Sequence, residues 1–143
     1  MRKIILMMMA LCAMTFVGCS KEEGNGGGSL VVDGVNLVGK WADITDDDDY
    51  YSDIIVFTAN SYQEYESDSR FTFKDGYFYG CTFADFEHYG TWSAQVSGDR
   101  IIIAGHDAGK IKVIDNDNIL WIEEDWYDED VYIEKYQRVK GFK

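Results

Sequence analysis

Proline is absent from all 143 residues, and positive charge is scarce, with 13 Lys and Arg against 26 Asp and Glu. A formal charge of -13 repels phosphate backbones and anionic lipid surfaces, so nucleic acid is excluded as a partner and membrane docking through overall charge is disfavoured. No apolar run reaches the roughly 20 residues needed to span a bilayer. No run carries helical periodicity. The sequence also lacks a Gly-x-Ser-x-Gly elbow, a His-Glu-x-x-His pair and a phosphate-binding glycine loop, the patterns that announce common hydrolytic and nucleotide chemistry. What remains is 46% hydrophobic and 15% aromatic, with glycine mostly single or gathered near the N-terminus, enough to build one core from strands. The length accommodates one domain.

Arg2 and Lys3 precede an apolar stretch from Ile4 to Val17, which ends at Gly18-Cys19. A basic start, a short apolar segment and a small residue before the cut describe a signal peptide over residues 1–18. Phe16-Val17-Gly18-Cys19 resembles the lipobox of bacterial lipoproteins, with Phe16 in place of the usual leucine. Cys12 follows the bulky Leu11 and lacks the small residue that the lipobox requires. The resemblance implies a diacylglycerol thioether and an amide-linked palmitate-type chain on Cys19, anchoring the protein in the lipid bilayer of the outer membrane. Each buried methylene of such chains contributes about 0.8 kcal/mol. The alternative is an ordinary secretory signal with an incidental cysteine.

Ser20-Lys21-Glu22-Glu23 resembles the signal that sends some Gram-negative lipoproteins to the cell surface, and reads equally well as the solvated start of a linker. Residues 19–34 are therefore expected to be lipidated cysteine and flexible tether, with the β domain over 35–143. Loss of the leader removes Arg2 and Lys3 and no acid, which takes the charge to -15. With Cys19 acylated, Cys81 has no intramolecular partner and is expected to be a small core residue.

From Leu37 onward, short β-type runs recur every 8–12 residues or so, separated by Gly, Asp and Asn, the spacing of a meander barrel or sandwich. Asp75-Gly76 is the favoured two-residue turn between Phe71–Lys74 and Tyr77–Gly80, and it would set Phe73 opposite Phe78. A second hairpin turns at Ser97-Gly98-Asp99 and a third at Asn116-Asp117. With strands at Val38–Ile44, Ile54–Thr58, Tyr62–Glu66 and Val131–Val139, the expected fold is all-β. It is an antiparallel up-and-down meander of about eight strands, a small barrel or flattened sandwich.

Gly39-Lys40-Trp41 resembles the Gly-x-Trp opening of lipocalins, and Gly90 to Ile101 is similar to the strand-turn-strand of short lipocalin-like bacterial lipoproteins. The likeness spans most of residues 35–140. It implies a barrel closed at one end by Trp41 under a basic side chain from the far end of the chain, for which Arg138 is suited by cation–π stacking. With about 110 residues the domain is short for a ligand-carrying barrel, so a core filled by its own side chains is an open alternative.

Asp46, Asp47, Asp48 and Asp49, close behind Asp43, raise the question of an oxygen-loving cation such as calcium. No glycine makes the sharp turn of a calcium loop, and a solvated acidic loop is the plainer reading, as it is for Asp125 and Asp128 to Asp130. Neither His88 beside Glu87 nor His106 beside Asp107 is a ready dyad, because strand neighbours face opposite ways. The reading is therefore non-enzymatic, with no cofactor. Trp126, Tyr127, Tyr77 and Tyr79 exceed what one core face absorbs and are candidates for stacking on a small apolar or glycan-like ligand. The alternative is an accessory lipoprotein whose acidic and aromatic loops bind another envelope protein.

Overall fold

The computed structural model describes residues 30–46, 52–124 and 130–143. Residues 1–29, 47–51 and 125–129 lie outside the described residues, and with them the expectations placed on the signal peptide, Cys19, Asp47, Asp48, Asp49, Trp126 and Tyr127. The described chain is all-β and antiparallel in its main sheet. Its strands are β1 Val31–Val32, β2 Val35–Asn36, β3 Gly39–Asp43, β4 Ser52–Phe57, β5 Ser61–Ser67, β6 Thr72–Lys74 and β7 Tyr77–Tyr79. A 3-10 turn at Phe83–Asp85 leads into β8 Glu87–Ser97, β9 Arg100–Ile103, β10 His106–Asp115, β11 Asn118–Glu124, β12 Val131–Arg138 and β13 Gly141–Phe142.

Eight of these strands, β3, β4, β5 and β8 to β12, pair in chain order, and β12 returns to β3 to close a barrel. The closure pairs Arg138 with Trp41, Gln137 with Ala42 and Tyr136 with Asp43. Alternation then decides what fills the interior. Trp41, Ile55, Phe57, Ile101, Ile103, Ile111, Ile119, Trp121 and Tyr136 point inward and are fully or almost fully buried. Phe57, Tyr62, Trp121 and Tyr136 form a chain of ring contacts with centroids 5.5–6.2 Å apart. The lower interior is packed with side chains.

Turn chemistry explains the connections. Asp75 and Gly76 both take positive φ, 53° and 89°, as a type I′ turn requires, and Phe73 pairs with Phe78. The hairpin nonetheless lies outside the barrel wall. It is inserted between β5 and β8, and β13 joins it in parallel to β7, completing a three-stranded sheet. Its apolar face covers outward residues of β3 and β4. Ala42 and Ile54 are fully buried there against Phe78, Phe86 and Cys81, with Phe71, Phe73 and Phe142 packed at the margin. Cys81 is thus a core residue of this second layer.

The domain begins five residues earlier than expected. Leu30 to Val32, assigned to the tether, form with β2 a hairpin that turns on Asp33-Gly34 at φ 49° and 79°. Leu30, Val32 and Leu37 are essentially buried in the barrel core. Burying three aliphatic side chains contributes roughly 1.5–3 kcal/mol each, which outweighs the entropy that a glycine-rich neighbour suggested would keep this segment loose. Val32-Asp33-Gly34-Val35 was itself a hairpin signal, masked by the polar stretch before it.

Candidate functional site

The barrel has two unlike ends. At the end where β3 begins and β12 finishes, Arg138 gathers the chain. Its guanidinium carbon stands 4.2 Å from the centre of the Trp41 ring. Its nitrogens donate to the carbonyls of Asn36 at 2.8 Å, Val38 at 3.1 Å and Asn116 at 3.0 and 3.1 Å. Trp41 in turn donates its indole N–H to the Leu37 carbonyl at 2.8 Å. Gly39 fits beneath this cluster for two reasons. Its φ of 136° suits glycine, and a Cβ there would lie 3.1 Å from Arg138 Nη1. The Gly-x-Trp spacing and the distant arginine are therefore one structural device, which seals this end together with the β1–β2 hairpin.

At the opposite end, where β3 and β11 finish and β4 and β12 begin, the inward positions change character. Residues directly opposite in a ladder share a face. Glu134 is opposite Trp121, Tyr132 opposite Glu123, Asp43 opposite Tyr136 and Glu64 opposite Ile55, so all of these look into the barrel. Asp53 lies two positions from Ile55 on the same face. The mouth is thus lined by five carboxylates interleaved with Tyr62, Tyr132, Tyr136, Trp92 and Trp121. Glu64 is buried and accepts a hydrogen bond from the Tyr62 hydroxyl at 2.5 Å, and the Tyr136 hydroxyl donates to Glu134 Oε2 at 2.7 Å. Asp43 accepts from the backbone N–H of Thr45 at 2.9 Å, and Thr45 Oγ1 accepts from Lys135 N, tying the end of β3 to β12.

The ring faces are held firmly. Trp121 donates its indole N–H to the Ala108 carbonyl at 2.7 Å, and a Cβ at Gly109 would fall 2.4 Å from the Ile122 carbonyl and 3.0 Å from that indole nitrogen. Gly90 leaves room for the Trp92 ring, since a Cβ there would sit 2.4 Å from it. Two small residues thus set the orientation of two tryptophans at the mouth.

The other sequence candidates do not converge on this place. Tyr77 and Tyr79 sit on β7 of the covering sheet, facing away from its apolar side. Tyr77 lies under Lys143 at 4.1 Å and Tyr79 is exposed at 39%, and neither enters the barrel. The alternation of the β6–β7 hairpin was legible, but not the fact that the barrel excludes it. Asp46 is exposed, and among the described residues no group of three or more His, Cys, Asp and Glu is arranged to hold a metal ion. His88 bonds Thr91 Oγ1 at 2.8 Å and packs on Tyr65, on the outer surface.

The mouth carboxylates were missed. Their signal is the i, i+2 pattern Tyr62-x-Glu64 and Tyr132-x-Glu134-x-Tyr136, which puts hydroxyl and carboxylate on one strand face. Comparison with protein families, with curated protein sequences and with solved structures finds no match for this chain.

Proposed function

We propose that this protein is a non-enzymatic binding module, tethered to the outer membrane through an acylated Cys19, whose barrel mouth takes a small glycan-like ligand. One observation carries this reading. The inward face changes from aliphatic to alternating carboxylate and aromatic at one end only, above the layer formed by Tyr62, Trp121 and Tyr136. Flat rings suit the C–H faces of a sugar, and carboxylates accept hydrogen bonds from its hydroxyls. A purely apolar guest would desolvate those carboxylates with nothing returned, at a cost of several kcal/mol, so the apolar class is disfavoured. The packed lower interior makes the site a shallow one, suited to a sugar end or a short oligosaccharide rather than to a long acyl chain.

Trp92 and Trp121 provide the assay. Titrating the mature chain with neutral oligosaccharides while following tryptophan fluorescence should give a saturable change that 0.5 M NaCl leaves in place. Glu64→Gln combined with Glu134→Gln should weaken it at least tenfold while near-ultraviolet circular dichroism stays native. A saturable response only to organic amines, abolished by salt, would move the ligand class to cations. No response to any member of either panel would overturn the reading.

A further inference from the structure

The outer wall of β10 to β12 differs from the rest of the surface. Its outward positions form two rungs across three strands: Lys112 opposite Leu120 opposite Lys135, and Lys110 opposite Ile122 opposite Ile133. Ile133 is 48% exposed, and Ile44, which continues the Lys135 rung through the hydrogen bond from its N–H to the Lys135 carbonyl, is also exposed. The β3–β4 wall carries a covering sheet, whereas these aliphatic side chains carry none among the described residues. Lys110 meets Asp99 at 3.2 Å, and the exposed Glu124 ends the same face of β11 opposite Val131, while the ammonium groups of Lys112 and Lys135 have no ion pair among the described residues. The uncompensated positive charge of this wall is therefore Lys112 and Lys135, which flank Leu120 on one rung beside the apolar strip.

We propose that this wall rests on anionic lipid headgroups, with the lysines on the phosphates and Ile133, Ile122 and Ile44 at the headgroup boundary. Net charge argues against membrane contact only over distances that salt does not screen. At physiological ionic strength the Debye length is about 8 Å, so the carboxylates within the mouth act weakly on a headgroup touching the outside of β10. Local charge decides the contact.

The length of chain before the domain permits this contact. Leu30 is the first described residue and is buried in the barrel core. Cys19 lies 11 residues earlier, and 11 residues span at most about 40 Å, so an anchored domain can lay this wall flat on the bilayer. The inference rests on the lipid-anchor part of the proposed function and is independent of the glycan part.

The test uses the chain from residue 19 onward with Cys19→Ser, so that no acyl chain contributes. It is sedimented with vesicles of phosphatidylcholine alone or with 30 mol% phosphatidylglycerol. Binding to the anionic vesicles should exceed binding to neutral ones at least about tenfold, should vanish in 0.5 M NaCl, and should be lost in the Lys110→Gln, Lys112→Gln, Lys135→Gln variant. Circular dichroism confirms that this variant keeps the barrel, since all three side chains point outward.

Equal binding to both vesicle types, or unchanged binding by the variant, overturns the proposal. Salt-sensitive self-association of the free chain, abolished by the same variant and accompanied by no lipid preference, overturns it in favour of a second copy as the occupant. An intact glycan response without lipid binding would sink this inference alone. Absence of acylation at Cys19 in cells, read by mass spectrometry, would remove the anchor and leave the vesicle result standing.

Discussion

Replacing Arg138 by alanine should lower the melting temperature by about 8–20 °C. The side chain stacks on Trp41 at 4.2 Å, an arrangement worth about 0.5–2 kcal/mol. It also donates to the carbonyls of Asn36 and Val38, between β2 and β3, and of Asn116, between β10 and β11, so it joins two segments far apart in sequence. Each such bond contributes a net of about 0.5–1 kcal/mol here, at the low end because water can replace the guanidinium at a site where the side chain keeps 23% exposure. The 3.5 Å contact with Asp117 adds little. The total is about 2–5 kcal/mol, and a domain of this size shifts its melting point by about 4 °C per kcal/mol.

Thermal unfolding followed by circular dichroism measures the shift directly. Arg138→Lys keeps the charge but loses the planar fork that reaches several carbonyls at once, so it should recover less than half of the loss. A change below 2 °C for the alanine variant would refute the view that Arg138 fastens the closed end.

Four further outcomes follow from the same geometry. Gly39→Ala places a side chain at φ 136° and against Arg138, and should cost about 1–3 kcal/mol in urea unfolding. A chain that starts at residue 35 loses Leu30 and Val32 from the core, so it should unfold at least 10 °C below one that starts at residue 30, by about 2–5 kcal/mol per deleted side chain. For Asp107, burial pulls the carboxyl up, but hydrogen bonds from Arg100 and from the Gly109 N–H outweigh it and hold the group below its usual range. A depressed folded value means stability that is present above the unfolded pKa and lost as pH falls through the folded one, so Asp107→Asn should flatten the decline of stability below about pH 4. Burial, reinforced by Asp85, pushes the Cys81 thiol up, so it should react with a disulfide reagent far more slowly in the native state than in urea.

Much of the fold was written in local pattern. The Asp75-Gly76 and Asn116-Asp117 turns are where turn chemistry placed them, because two-residue hairpins depend on the residues at the turn itself, and the turn expected over Ser97-Gly98-Asp99 narrows to Gly98-Asp99, with Ser97 paired to Arg100. Two features were not local. Phe71, Phe73 and Phe78 show the alternation of any half-buried strand, and nothing in that alternation distinguishes packing inside a barrel from packing outside it. Gly141–Phe142 is two residues long and owes its place to Phe78 and to hydrogen bonds across to β7, a tertiary effect.

The site was harder to read for a related reason. Acid is conspicuous in the loop runs, whereas Glu64, Glu123 and Glu134 stand singly among aromatics. They become a group only once closure of the barrel brings β5, β11 and β12 around a common axis. Tyr77 and Tyr79 stand out in the sequence as rings in excess of what one core face absorbs, but they lie on β7 of the covering sheet, outside the barrel.

The central claim, that the acid-and-ring mouth is a binding site, is tested most directly by amide and indole chemical-shift mapping of the chain from residue 19 onward, with Cys19→Ser, titrated with neutral oligosaccharides. Saturable shifts at the Trp121 and Trp92 indoles and at the amides of Asp43, Glu64 and Glu134 are the expected result. Shifts confined to Tyr77, Tyr79 and their neighbours, or no shift at any concentration, would contradict it.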